Sequence, residues 1–327
     1  MLVSTYRVSR QYLYSYIHVR PIGTKPHRYV LFLHGWPSLA SEWHHQIEYF
    51  SRLGYGIIVP DLLGYGNTDA PADVNAYKMR LMAEDIIEIL DHEAVDSVYG
   101  VGHDFGVHLL SRLAFYFPER LTKICFLAVG YYPLGQLFDV EAMNQMTAMN
   151  LGYSAFGYMK WFNESPEAPS IMDQHQASLL SILFPADPAI WKIHFGPEGG
   201  LEAWLKNDSR TIVGAYINDN EQKLRNEMFG GNRGYGPTLN WYKVLLRNMN
   251  YPDEQGISLD DQHLRQPVLL LTCKKDPIAI SEAQVQATQP FAACLSTREL
   301  DTGHWMQLEA PEVVNQALQE FFDNYTL

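Results

Sequence analysis

The stretch that decides the fold is Ser97–Val101 (SVYGV), then Gly102-His103-Asp104-Phe105-Gly106, then Val107–Phe117 (VHLLSRLAFYF). A short apolar run predicts a buried strand. Leu109, Leu110, Leu113 and Phe117 fall at the spacing of one helix face, so a helix follows directly. Between them a tight turn with small flanking residues would push the Asp104 side chain out of a sharp bend, the strand–turn–helix setting of a nucleophile elbow. Taken alone, Gly-x-Asp-x-Gly reads equally well as a glycine-rich turn whose aspartate caps the helix.

The surrounding chain favours the elbow. His34-Gly35-Trp36-Pro37 follows the apolar run Tyr29–Leu33 and could offer a backbone N–H beside the nucleophile. Asp276 lies three residues past Val268–Cys273, and Gly303-His304-Trp305 follows Ser296–Leu300 and precedes a helix beginning near Pro311. Nucleophile, acid and histidine thus occur in the order expected of strand-end catalytic groups. Asp276 before Pro277 would otherwise be a turn former, and His304 is one of 12 histidines, so position is what singles them out.

Further apolar runs at Gly56–Val59 and Ile124–Val129, with a helical pattern over Arg80–His92, extend the strand–helix alternation. Tyr12–Val19 alternates and predicts an antiparallel pair ahead of the parallel set. The fold class is α/β: a mostly parallel sheet flanked by helices. The alternation stops after Val129 and resumes near Gln266. A stretch of that length is not a plain loop; it is rich in aromatics and Met, with helix-like segments at Ser170–Phe184, Gly200–Leu205, Thr211–Phe229 and Leu239–Met249. The expected division is a core of residues 1–133 and 262–327 with a helical cap over 134–261.

With 24 Lys and Arg against 37 Asp and Glu, the 327-residue chain carries a formal charge of −13. That field repels polyanions and anionic membrane surfaces, which argues against nucleic acid as a partner. No apolar run is long enough to span a bilayer and no secretory leader is visible. Cys125, Cys273 and Cys294 lack metal or disulfide spacing, pointing to a reduced, cytoplasmic setting. His34, His103 and the pair His44-His45 have no acidic or Cys partners at metal-site spacing, so no metal is expected. Gly64-Tyr65-Gly66 lacks the third glycine of a nucleotide loop. Asp61 reads as a structural strand-end carboxylate. A homodimer is compatible with the sequence.

These motifs resemble the α/β-hydrolase superfamily and, within it, the soluble epoxide hydrolases with a cap domain. The core likeness rests on HGWP, Asp61–Asp69 (DLLGYGNTD), GHDFG, the Asp276 loop and GHW. In the insertion it rests on Phe156–Phe162 (FGYMKWF) and Leu239–Tyr242 (LNWY). The resemblance implies that Tyr158 and Tyr242, two of 20 tyrosines, bind the epoxide oxygen, ahead of their neighbours Tyr153, Tyr235 and Tyr251. It also implies a cis Trp36-Pro37 bond and an oxyanion hole made by the N–H groups of Trp36 and Phe105. Trp36, Phe105 and Trp305 are expected to line the substrate pocket. One departure is Gly236-Pro237-Thr238-Leu239, where many relatives read Gly-Pro-Leu; it bears on how Tyr242 is presented.

An aspartate at the elbow has a chemical logic. A serine would turn an epoxide into an ether that water does not readily reverse, whereas a carboxylate forms a hydrolysable ester. The expected reaction is attack by Asp104, proton donation by Tyr158 or Tyr242, then hydrolysis by a water that His304 deprotonates, with Asp276 orienting His304. The product is a vicinal diol from a small apolar epoxide and water, with no cofactor. The same tyrosines would serve ring opening by an internal hydroxyl.

The alternative is a dehalogenase using the same nucleophile. Haloalkane enzymes typically place Trp after the nucleophile and often Asn after His-Gly, where this chain has Phe105 and Trp36. Haloacetate enzymes often carry Arg where Phe105 stands. A non-catalytic ligand-binding protein on the same fold is a third reading, opposed by the completeness of the residue set.

Overall fold

The structure is a computed structural model and describes residues 2–23, 28–230 and 233–324. Eight strands form one sheet: β1 (Leu2–Arg7), β2 (Leu13–Val19), β3 (Tyr29–Leu33), β4 (Gly56–Pro60), β5 (Val98–His103), β6 (Leu121–Leu127), β7 (Val268–Cys273) and β8 (Leu295–Leu300). Their order is β1-β2-β4-β3-β5-β6-β7-β8; β2 pairs antiparallel with β1 and β4, and all other pairs are parallel.

The continuous apolar runs follow from a sheet covered on both faces. Along β3, Leu31 and Leu33 join the core that contains Ile86, Leu109 and Leu113. Val30 and Phe32 point the other way, to Trp43, Ile47, Phe50 and Phe322. Successive side chains alternate between faces, so a strand buried on both must be apolar throughout. The helices Met79–His92 and Phe105–Tyr116 supply one cover, His44–Arg52 and Pro311–Asn324 the other. At the edge, β8 carries exposed Arg298 and Glu299, charges suited to an unpaired strand side.

Between β6 and β7 the regular elements among the described residues are helices joined by irregular segments, including Val140–Leu151, Gly157–Glu164, Gly200–Lys206 and Asn240–Leu246. Two sequence expectations are corrected here. Ser170–Phe184 is not one helix: Ala168–Gln174 and Gln176–Leu183 are separate, broken at His175. Thr211–Phe229 is helical only over Asp219–Phe229. Asn218 starts that helix with a capping box, its side chain accepting from the Glu221 N–H while the Glu221 carboxylate accepts from the Asn218 N–H. Upstream the chain is non-helical, and Val213 forms an antiparallel bridge with Pro185.

The inserted helices are fastened to the sheet by buried polar contacts. Arg112, on the helix after β5, makes a two-pronged ion pair with Glu254 (3.1 and 2.8 Å) and donates to the Tyr132 carbonyl at 2.8 Å. Arg225 pairs with buried Glu42 and donates to the Pro37 carbonyl at 2.9 Å. Its guanidinium lies over the Phe184 ring, 3.9 Å from the centroid. Among the described residues, no helix is long and apolar enough to cross a membrane.

Candidate active site

Asp104 stands between the last residue of β5 and the helix Phe105–Tyr116, with φ +53° and ψ −123°. This is a conformation an L-residue enters at a cost of about 1–3 kcal/mol. Close packing holds it there. A Cβ on Gly106 would come 2.1 Å from the Leu33 carbonyl oxygen, and one on Gly35 would lie 2.4 Å from Asp104 Cβ. Both neighbours must be glycine for the elbow to nest against the end of β3.

The Asp104 Oδ1 atom accepts the Trp36 N–H at 2.9 Å, and the Phe105 N–H also bonds the carboxylate. The turn presenting Trp36 contains a cis Trp36-Pro37 bond. Oδ2 lies 3.7 Å from His304 Nε2, beyond hydrogen-bond length. His304 Nδ1 in turn meets Asp276 Oδ2 at 2.6 Å. Asp276 Oδ1 accepts the N–H groups of Ile278 (2.8 Å) and Ala279 (3.0 Å), which fixes the carboxylate.

Burial would raise the Asp276 pKa, but the His304 charge, its hydrogen bond and the two amides hold it below the ordinary range. For His304 burial works downward; the Asp276 charge and hydrogen bond and the Asp104 charge outweigh it, so the imidazole sits above its usual value. Asp104 is raised by burial, against the pull of His304 and the two amides.

Across the cavity stand Tyr158, on the helix Gly157–Glu164, and Tyr242, on Asn240–Leu246, their ring centroids 5.8 Å apart. Both are buried, and burial together with the Asp104 charge pushes both phenols well above their ordinary pKa. They therefore remain protonated donors. The Leu239–Tyr242 motif has a visible role: the Trp241 indole donates to the Leu63 carbonyl at 2.9 Å, which pins the helix and turns Tyr242 toward Phe105 and Trp36.

Trp36, Asp104, Phe105, Tyr158, Tyr242, His304 and Trp305 line one cavity of about 360 Å³, while Asp276 stands behind His304. Tyr153, Tyr235 and Tyr251 do not line it; the Tyr153 hydroxyl bonds the Pro277 carbonyl and Tyr235 stacks on Phe229. His34 and His103 brace the site. His34 accepts the Leu62 N–H at Nε2, so its Nδ1 donates to the Gly35 carbonyl, and His103 Nε2 bonds the His304 carbonyl. Asp61 ties the Ala40 and Asn67 amides.

Sequence reasoning did not single out the cavity residues His108, Trp191 and Gln284. His108 was detectable in principle, since i and i+4 share a helix face with the elbow residue. Thr238, noted only as a departure, is fully buried. Its hydroxyl accepts the Trp36 indole N–H at 3.0 Å and donates to the Tyr235 carbonyl at 2.7 Å.

A strained acid on a strand-to-helix bend, with an Asp–His pair from the loops that follow β7 and β8, is the arrangement of one large family. Residues 28–311 match the profile of the alpha/beta hydrolase fold. The chain belongs to that family. Within it, the chain is 26% identical over 315 residues to epoxide hydrolase A of Mycobacterium tuberculosis, covering 91% of both chains. It is 24% identical over 305 residues to the bifunctional epoxide hydrolase 2 of Mus musculus, covering 92% of this chain and 52% of that one. The solved structure of an epoxide hydrolase from an endophytic Streptomyces superposes with a TM-score of 0.83 at 21% identity, covering 98% of this chain and 95% of that one.

Proposed function

We propose that the protein is an epoxide hydrolase working through an ester on Asp104. One observation carries the reading: a carboxylate held by two backbone amides, set between a histidine paired with a second carboxylate and two protonated phenols.

Oδ2 attacks a ring carbon, the carbon–oxygen bond breaks, and Tyr158 or Tyr242 gives its proton to the departing oxygen. Oδ1 stays as the ester carbonyl. A water then loses a proton to His304 Nε2 and attacks Cγ, and the oxyanion on Oδ1 is met by the Trp36 and Phe105 amides. One such donor is worth about 2.7–4 kcal/mol. Asp276 holds the imidazole with Nδ1 protonated and stabilises the imidazolium. Collapse expels the second alkoxide, which takes the His304 proton. The remaining proton of the water restores the phenol.

The substrate is a small, largely apolar epoxide, in keeping with a cavity walled by Phe138, Met143, Phe156, Leu183 and Trp191. The reaction needs no metal or organic cofactor. Residues 134–261 act as the cap over a core of 1–133 and 262–327. Three free cysteines suit a reducing cytoplasm, and the net charge disfavours nucleic acid.

The test is His304→Gln with a panel of epoxides and haloalkanes, read by intact-protein mass spectrometry. An adduct equal to the whole epoxide, localised to Asp104, is expected. Adducts from haloalkanes with halide release, and none from epoxides, would transfer the protein to the dehalogenases.

A further inference from the structure

Apart from the catalytic groups and the Tyr and Trp rings, the described residues that line the cavity include two polar side chains, His108 and Gln284. His108 lies on the helix that begins at Asp104, four residues on, about 6 Å along the axis. Its ring stacks on Tyr132, centroids 4.1 Å apart at 10°, with Phe105 edge-on at 5.1 Å. The Nδ1 atom is buried without a hydrogen-bond partner, whereas Nε2 is not among the sealed, unpartnered atoms. Burial, reinforced by the nearby Arg112 charge, lowers the imidazole to a pKa of about 3, so the ring is neutral. A neutral imidazole carries one proton. An unpaired acceptor is less costly to bury than an unpaired N–H, which puts that proton on Nε2, the atom left to face the cavity.

Gln284 approaches the same wall from the helix Ser281–Thr288. Its Oε1 accepts the Gly130 N–H at 2.9 Å, which orients the amide and leaves its NH₂ as a donor. Gly130 is two residues from the Tyr132 ring on which His108 lies, so one short strip of chain, 130–132, sets both side chains. Of the mechanism's acidic groups, Asp104 lies at the elbow and Asp276 behind His304, and the Arg112 cation is already engaged by Glu254 and the Tyr132 carbonyl. Toward the cavity, His108 and Gln284 offer neutral donors.

We propose that His108 and Gln284 form a polar subsite that selects epoxides bearing a neutral acceptor oxygen, an ether, ester or ketone, a few bonds from the ring. A substituent carboxylate would find no free cation here and would face Asp104. The subsite rests on the proposed hydrolase reading and narrows its substrate class.

The experiment compares matched pairs, glycidyl ethers and the alkyl epoxides in which CH₂ replaces the ether oxygen, in wild type, His108→Phe, His108→Gln and Gln284→Leu. Phe keeps the stacking on Tyr132 and removes the N–H; Gln restores a donor. Wild type is expected to favour the ether about tenfold in kcat/KM, the worth of one or two neutral hydrogen bonds. The ratio falls toward one in His108→Phe, falls partly in Gln284→Leu, and recovers in His108→Gln. A ratio near one in wild type, or one unchanged by both His108→Phe and Gln284→Leu, overturns the subsite. Binding of the corresponding diols, followed by quenching of cavity tryptophan fluorescence, separates the two claims. If no epoxide is turned over, the same ether preference in binding upholds the subsite while the hydrolase reading fails, and its absence removes both.

Discussion

Replacing Thr238 by Val changes two atoms' bonding and almost no volume. The lost hydroxyl is the acceptor for the Trp36 indole N–H and the donor to the Tyr235 carbonyl, both buried. The Tyr235 carbonyl keeps the Thr238 backbone N–H at 3.0 Å, so only the indole N–H is left unpaired, and the folded state should lose about 1–3 kcal/mol. The kinetic effect should fall on one step. Trp36 N–H already binds the Asp104 carboxylate before reaction, so loosening it withdraws no help that is specific to ring opening. Full negative charge concentrates on Oδ1 only during ester hydrolysis, where a misplaced donor forfeits part of its roughly 2.7–4 kcal/mol. Thr238→Val is therefore expected to lower kcat by about ten- to a hundredfold and to accumulate ester, with ring opening slowed far less. Rapid-quench mass spectrometry of the enzyme in single turnover measures both steps. A variant with wild-type Tm and an unchanged rate of ester loss would refute the reasoning.

Tyr158→Phe or Tyr242→Phe alone should leave partial activity, because two donors share one oxygen, while the double variant should fail to form ester at all; unchanged turnover in the pair would show that other phenols serve. The base must be unprotonated, so ester hydrolysis should rise with pH through the His304 pKa. Esterification removes the Asp104 charge, one of the causes that raise that pKa, so the kinetic limb should lie below the value titrated by NMR in the free enzyme. A limb at or above the free-enzyme value would contradict this. Arg225→Met strands Glu42, whose carboxyl burial already pushes to about 7. Chemical denaturation should show a loss of about 3–5 kcal/mol, substantially relieved by adding Glu42→Gln.

The sheet was legible because β3, β4 and β7 are covered on both faces and so read as unbroken apolar runs. The insertion was harder to parse. Val140–Leu151 was not read as a helix because its buried positions are Asn144 and Thr147, while Met146 and Met149 face outward, so it carries no apolar stripe. At the candidate site, Asp104, Asp276 and His304 could be picked out because each lies within four residues of a strand's end. Tyr158 and Tyr242 were found through resemblance, since nothing in their immediate sequence sets them apart chemically. The hold of Thr238 on Trp36 and of Arg225 on Pro37 spans 202 and 188 positions of sequence, which local pattern does not encode.

The loop that offers an amide to Asp104 is gripped from above at both Trp36 and Pro37, by a threonine and an arginine that belong to the inserted helices. The reactive centre is accordingly a seam rather than a pit in a finished scaffold. Stripping away the upper layer would unshape the sheet's own contribution to it, and partial melting along that seam would silence the enzyme while most of the strands beneath still held.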